Sequence, residues 1–161
     1  MRPPLEGGLS KTASPCKMLR VSLGEAHHQW KRDMHPNGEI IKRGYDAFGR
    51  GDMPTVFGIL DAGIRWHVPG QSLLSGDYRG HDEVMAFFKQ CMELSQGTLR
   101  IDVHDIVANE SRVFALCTVS ATRAERHAEF LEVHLWRIVE GRAVEFREFQ
   151  GDEHTENKFW A

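Results

Sequence analysis

Two periods divide the chain. After Asn37, a good helix N-cap, Ile40, Ile41, Gly44, Tyr45 and Phe48 recur at one-face helical spacing. Gly49-Arg50-Gly51 ends that helix, and Asp52 caps a second with Pro54 in its first turn. Val56, Phe57, Ile59 and Leu60 give the second helix its apolar face. Ile64 to Val68 reads as a short strand stopped by Pro69-Gly70, followed by a loop holding Gly70, Gly76 and Gly80. A third helix is expected from about His81 to Gln96, with Val84, Phe87, Phe88, Cys91 and Leu94 as its stripe and Gly97 past its end.

From Thr98 the period becomes two. Leu99, Ile101 and Val103 alternate with Arg100, Asp102 and His104. Asn109-Glu110-Ser111 makes a turn before a strand over Arg112 to Thr122. Ala124-Glu125 turns into a third strand, Arg126 to Val139, and Glu140-Gly141-Arg142 leads into a fourth, Ala143 to Gln150. Such short connections force antiparallel neighbours, because a parallel crossover needs a dozen residues or more. Strands this long coil, and three amphipathic helices can cover one side of the coiled sheet. The fold class is α+β, in the order α-α-β-α-β-β-β-β, with a pocket at the open end of a half-cone.

Composition narrows the class. The chain has 161 residues with 41% hydrophobic and 27% charged, an ordinary globular mixture with material for one domain. Residues 1–35 stand apart: six Lys/Arg against three Asp/Glu, with Pro3, Pro4, Gly7, Gly8 and Pro15 and no sustained periodicity. They read as a disordered or mis-assigned extension, with Met34 an alternative start, and residues 36–161 as the domain. That domain carries fourteen cations against twenty anions, which argues against nucleic acid as a partner. No stretch approaches the roughly 20 apolar residues of a membrane span. Three cysteines, Cys16, Cys91 and Cys117, without CxxC spacing, suit a reducing, cytoplasmic setting better than a disulfide scaffold.

Tyr45-Asp46-Ala47-Phe48 with Gly51-Asp52, the run Ile64 to Gly70, Tyr78-Arg79-Gly80, His104-Asp105 and the closing Phe159-Trp160 together resemble the SnoaL-like group. That group belongs to the nuclear transport factor 2-like superfamily, which also holds ketosteroid isomerases, and the resemblance spans residues 38–161. It implies a cone-shaped α+β barrel, usually a homodimer, without an obligatory metal; no cofactor is expected, because no Gly-rich phosphate loop follows a strand. It does not fix a reaction. Within the resemblance, His67 falls where the isomerases place their general-base carboxylate. Their oxyanion-donating tyrosine falls at Gly44, beside Tyr45, and their second acid falls near Glu129.

Candidate chemistry follows from these positions. His67 is a general base if it faces the pocket, because imidazole titrates near neutral pH. Trp66 then faces the other way. His104 shares the polar side of its strand with Arg100 and Asp102, which is either a surface or the pocket side. His134 and Trp136 share a parity with Phe130 and Glu132, and Glu129 takes the opposite face, so Glu129 and His134 do not both reach one ligand in a regular strand. His67, Glu129, His134 and His104 are the catalytic candidates; Trp66, Tyr45, Phe88 and Trp136 are candidates for an apolar wall. Nine histidines show no HxH or HExxH spacing, so no metal is expected. No G-x-S-x-G elbow or phosphate loop is found, and Cys91 and Cys117 read as core fillers. The expected function is small-molecule binding, with isomerase or cyclase chemistry beside a carbonyl of an apolar or polycyclic ligand. The alternative is a non-catalytic binding or dimerisation module, and a homodimer through the sheet face is expected in either case.

Overall fold

The computed structural model describes residues 34–161; most of the expected extension lies outside the described residues. Helix α1 (Pro36–Gly49) and helix α2 (Met53–Ile59) lead into strand β1 (Leu60–Val68) and the short β2 (Gly76–Arg79). Helix α3 (Gly80–Leu94) follows, then β3 (Arg100–Ala108), β4 (Arg112–Arg123), β5 (Arg126–Val139), β6 (Arg142–Gln150) and α4 (Glu153–Phe159). The expected order of elements holds, with β2 and α4 added. Both were invisible to periodicity: β2 is four residues long beside glycines, and α4 is a seven-residue helix. Asp52 caps α2 as expected, accepting from Thr55 N. Asn37 does not cap α1. His35 Nδ1 accepts from Asn37 N, and the Asn37 amide instead donates to Asn109 O and Glu110 O across the fold.

One curved sheet runs in the order β2-β1-β6-β5-β4-β3. It is open, not a closed barrel, and antiparallel except where β1 joins β6. Two-residue turns make the long hairpins. Ala124-Glu125 and Glu140-Gly141 all adopt positive φ, the conformation whose twist matches flanking strands.

Alternation sorts every long strand into two faces. On β4, Val113, Ala115, Cys117, Val119 and Ala121 are buried, and Phe114 and Leu116 are exposed. The buried face meets Ile41 and Ala47 of α1, Val56 and Ile59 of α2, and Val84, Phe87, Phe88 and Cys91 of α3 in one core. Helix α4 adds Phe159. Its seat depends on Gly70, whose φ of +97° and close approach to Asn157 leave no room for a β-carbon. Asn157 Oδ1 accepts from Gln71 N there, tying α4 to the loop after β1.

Candidate active site

The register of the sheet assembles the site. On the concave face, Ala115 of β4 pairs with His134 of β5, which pairs with Glu148 of β6. One step along, Cys117 pairs with Glu132 and Glu132 with Gln150. One step the other way, Trp136 pairs with Phe146, and Phe146 with Trp66 of β1. A polar patch of Glu132, His134, Glu148 and Gln150 therefore abuts an aromatic block. Trp66 stacks on Phe146 at 3.8 Å and meets Trp136 and Phe88 edge-on.

Helices and sheet enclose a cavity of about 110 Å³, partly open to solvent, whose wall is mostly apolar. Tyr45, Trp66, Phe88 and Trp136, the four expected wall residues, all line it. An engineered cavity of about 150 Å³ holds benzene, so the enclosed part suits little more than a ring. A polycyclic ligand would have to extend through the mouth.

A chain of hydrogen bonds crosses the polar end. Trp136 Nε1 donates to Tyr45 Oη at 3.0 Å, and Tyr45 Oη lies 2.7 Å from His134 Nδ1. The opposite ring nitrogen, His134 Nε2, lies 2.8 Å from Glu132 Oε2. With His134 neutral, Nε2–H donates to Glu132 and Nδ1 accepts from the Tyr45 hydroxyl. With His134 protonated, Nδ1–H donates to Tyr45 and frees the phenolic proton for a ligand oxygen. Glu132 and His134 are 3% and 4% exposed, so this pair works away from solvent. Burial also pushes the Tyr45 hydroxyl well above its usual range.

Two further acids complete the floor. Gln150 Nε2 donates to Glu148 Oε1 at 2.8 Å and to Glu156 Oε1 of α4 at 3.0 Å. Burial, reinforced by the neighbouring Glu132, raises Glu148 to about 7; His134 and Gln150 pull it the other way. Burial with Glu132 and Glu148 raises Glu156 to about 10, so its carboxyl keeps its proton at neutral pH. Cys117 Sγ lies 3.4 Å from His134 Nδ1, but burial raises that thiol to about 12 and keeps it from acting as a thiolate.

Three expected candidates fall elsewhere. His67 does not line the cavity. Trp66 takes the inner face of β1, so alternation turns His67 outward, where it pairs with Asp77 at 2.7 Å. His104 is exposed on edge strand β3 against Thr118 Oγ1 at 2.7 Å. Glu129 lies on the outer face of β5 beside His127, 67% exposed. Of the four, only His134 reaches the cavity.

Glu132, Glu148, Gln150 and Glu156 were not singled out from the sequence. For the strand residues the signal was parity: Glu132 shares a face with Phe130, His134 and Trp136, and Glu148 and Gln150 share one with Phe146. Glu132, His134 and Glu148 offer ligating atoms within 4.8 Å of one another, a set that could hold a metal ion. The set has no local spacing signature, because its third member comes from a neighbouring strand. Within that set an ordinary hydrogen bond joins His134 to Glu132.

The chain is thus an open α+β cone with a ring-sized cavity and carboxyl groups on the cavity floor. The chain belongs to the SnoaL-like family, whose domain model matches residues 41–146. That match includes Tyr45, Glu132 and His134 and stops before Glu148, Gln150 and Glu156. The uncharacterized protein Rv0034 of Mycobacterium tuberculosis is 28% identical over 124 residues, covering 76% of this chain and 95% of that one. Among solved structures, Bal32a from a soil-derived mobile gene cassette superposes with a TM-score of 0.76 at 28% identity, covering 78% of this chain and 97% of its own. A nuclear transport factor 2-like protein of Burkholderia pseudomallei gives 0.72 at 30% identity, covering 80% and 99%.

Proposed function

We propose that the protein binds a small apolar ligand bearing a carbonyl and moves a proton at the carbon beside it. The observation that carries this reading is one apolar cavity lined by Tyr45, His134 and Glu148 together. Glu148 is the general base. A carboxyl held near neutral pKa divides its population between base and acid, which general acid–base catalysis needs. Glu148 takes the proton from carbon, and the electron pair passes to the carbonyl oxygen as an enolate. The Tyr45 hydroxyl donates to that oxygen, and Glu148 returns the proton at the same or a conjugated carbon. His134, backed by Glu132, positions Tyr45 and supplies the hydrogen bond that frees its proton. His67, His104 and Glu129 have no part in this scheme.

Deuterium exchange into 2-indanone in D2O, followed by proton NMR, tests the scheme. Exchange above background should fall at least about 100-fold in Glu148→Gln and persist in His67→Ala. Exchange that survives Glu148→Gln and is lost in His67→Ala overturns it. A non-catalytic binder is favoured by one observation: Tyr45 and His134 satisfy each other's hydrogen bonds. Ligand binding without any exchange would establish that alternative.

The outer sheet face supports the homodimer. Leu116, Val133 and Phe149 form a cross-strand row, flanked by exposed Phe114 and Leu131. An antiparallel sheet with one solvated face normally shows polar residues there, and a contiguous apolar patch marks an interface. A second copy, placing the same face against itself, is the proposed cover. Among the described residues no helix is long and apolar enough to cross a membrane. The free thiols of Cys91 and Cys117 support a reducing, cytoplasmic location.

A further inference from the structure

Apart from His134, the charged groups that line the cavity are all acids. Glu132, Glu148 and Glu156 all line it, and among the described residues that line it there is no Lys or Arg. Buried carboxyl groups without a cation must keep protons or acquire a positive partner. The hydrogen bonds already described consume the Gln150 amide nitrogen on Glu148 and Glu156, and His134 Nε2 on Glu132. What they leave over is informative. Glu156 Oε2 and Gln150 Oε1 are buried oxygens with no hydrogen-bond partner, and a cation beside Glu156 would displace the proton that its carboxyl otherwise keeps. Glu156 is 3% exposed, so water does not serve it freely.

A second orphan has the opposite chemistry. Trp66 Nε1 is a buried donor with no acceptor, on a residue 7% exposed that lines the same cavity. An indole N–H donates only, so its partner must be an oxygen or nitrogen lone pair. Buried polar groups in folded proteins are nearly always paired. Two unpaired oxygens and one unpaired donor around one cavity suit a guest with donors at one end and an acceptor elsewhere.

Building on the reading of the cavity as a ligand site, we propose that its ligand is a cationic amine carried on an apolar ring, with its ammonium on Glu156 Oε2 and Gln150 Oε1 and an acceptor for Trp66 Nε1. An ammonium brings three donors and no acceptor, which matches the two orphan oxygens and leaves one donor for Glu132 or Glu148. A carboxylate-bearing ligand is rejected, because it would add a fourth acid to a wall with no cation. A bare divalent ion fits less well. It would compete with the His134–Glu132 hydrogen bond.

Titration calorimetry with benzylamine, benzyl alcohol, benzoate and zinc ion on the full chain at pH 7 tests the proposal. Benzylamine is expected to bind at least tenfold more tightly than benzyl alcohol, and benzoate more weakly than either. Equal or tighter binding of the alcohol or benzoate overturns the amine proposal and leaves the cavity reading intact. Binding of zinc with no binding of benzylamine also overturns it. If neither benzylamine nor benzyl alcohol binds, both this proposal and the cavity reading fail. In Glu156→Gln, with the fold checked by circular dichroism, the amine-to-alcohol preference should drop to about one. A preference that survives unchanged removes Glu156 from the proposal and overturns it.

Discussion

Two histidine–carboxylate pairs of nearly the same length sit on this sheet in different surroundings. His134 Nε2 and Glu132 Oε2 are 2.8 Å apart with side chains 5% and 3% exposed. His67 Nδ1 and Asp77 Oδ1 are 2.7 Å apart with side chains 32% and 77% exposed. Distance does not separate them; solvent does. Water and salt screen the outer pair, which leaves it a modest surface contact. The inner pair lies in a low-dielectric pocket, coupled through Tyr45 to Trp136 and flanked by Glu148. Acid–base chemistry belongs with the pair that solvent does not reach.

That contrast can be broken in steps. The largest effect is expected from His134→Ala, which strands Glu132 inside the fold. Losing one partner of a buried pair costs about 3–5 kcal/mol, against under about 1 kcal/mol for His67→Ala. Urea unfolding of both variants measures the difference, and equal costs would erase the distinction between the pairs.

The pH dependence comes next. Glu148 is raised to about 7 and Glu156 to about 10, while unfolded glutamates titrate near about 4.3. Between those values the folded state holds protons that the unfolded chain has released. These groups' contribution is therefore fully present below about pH 4 and is lost as pH rises. Calorimetric Tm should decline from pH 5 to 8, and Glu148→Gln should flatten that stretch. A Tm that rises across this range in the wild type contradicts the acid floor.

Tyr45→Phe removes the acceptor of Trp136 Nε1 and the partner of His134 Nδ1. Leaving buried groups unsatisfied costs about 1–3 kcal/mol, and exchange into 2-indanone should fall about 10²–10³-fold, as for a lost oxyanion donor. The smallest effect on the monomer is expected on the outer face. Leu131, 56% exposed, should tolerate Arg within about 0.5 kcal/mol. Leu131→Arg should still shift sedimentation from dimer to monomer, and an unchanged species would remove the sheet face as the interface.

Much of the fold was legible because it rests on period. Helices α1 and α3 and strands β3 to β6 follow runs long enough for their apolar spacing to have one solution, and the seven-residue α2 was legible from its Asp52 cap and Pro54. The failures are short elements: β2 has four residues and α4 has seven, too few to show a period. For the site, parity correctly separated Glu129 from His134 and grouped His134 with Glu132 and Trp136. Parity cannot say which face is concave, and that decision sent His67 outward with Trp66 inward. It is also silent on register, which alone brings Glu148 beside His134. Glu156 needed α4 in place, and α4 needed Gly70 to admit Asn157.

The central claim is that the cavity floor holds a carboxyl poised near neutrality. Carboxyl carbon-13 NMR on glutamate-labelled protein measures it directly, with Glu148→Gln to assign the signal. The account predicts a resonance titrating with a midpoint near pH 7 that disappears in that variant. If every glutamate titrates close to pH 4.5, the floor is an ordinary solvated cluster and the account is contradicted.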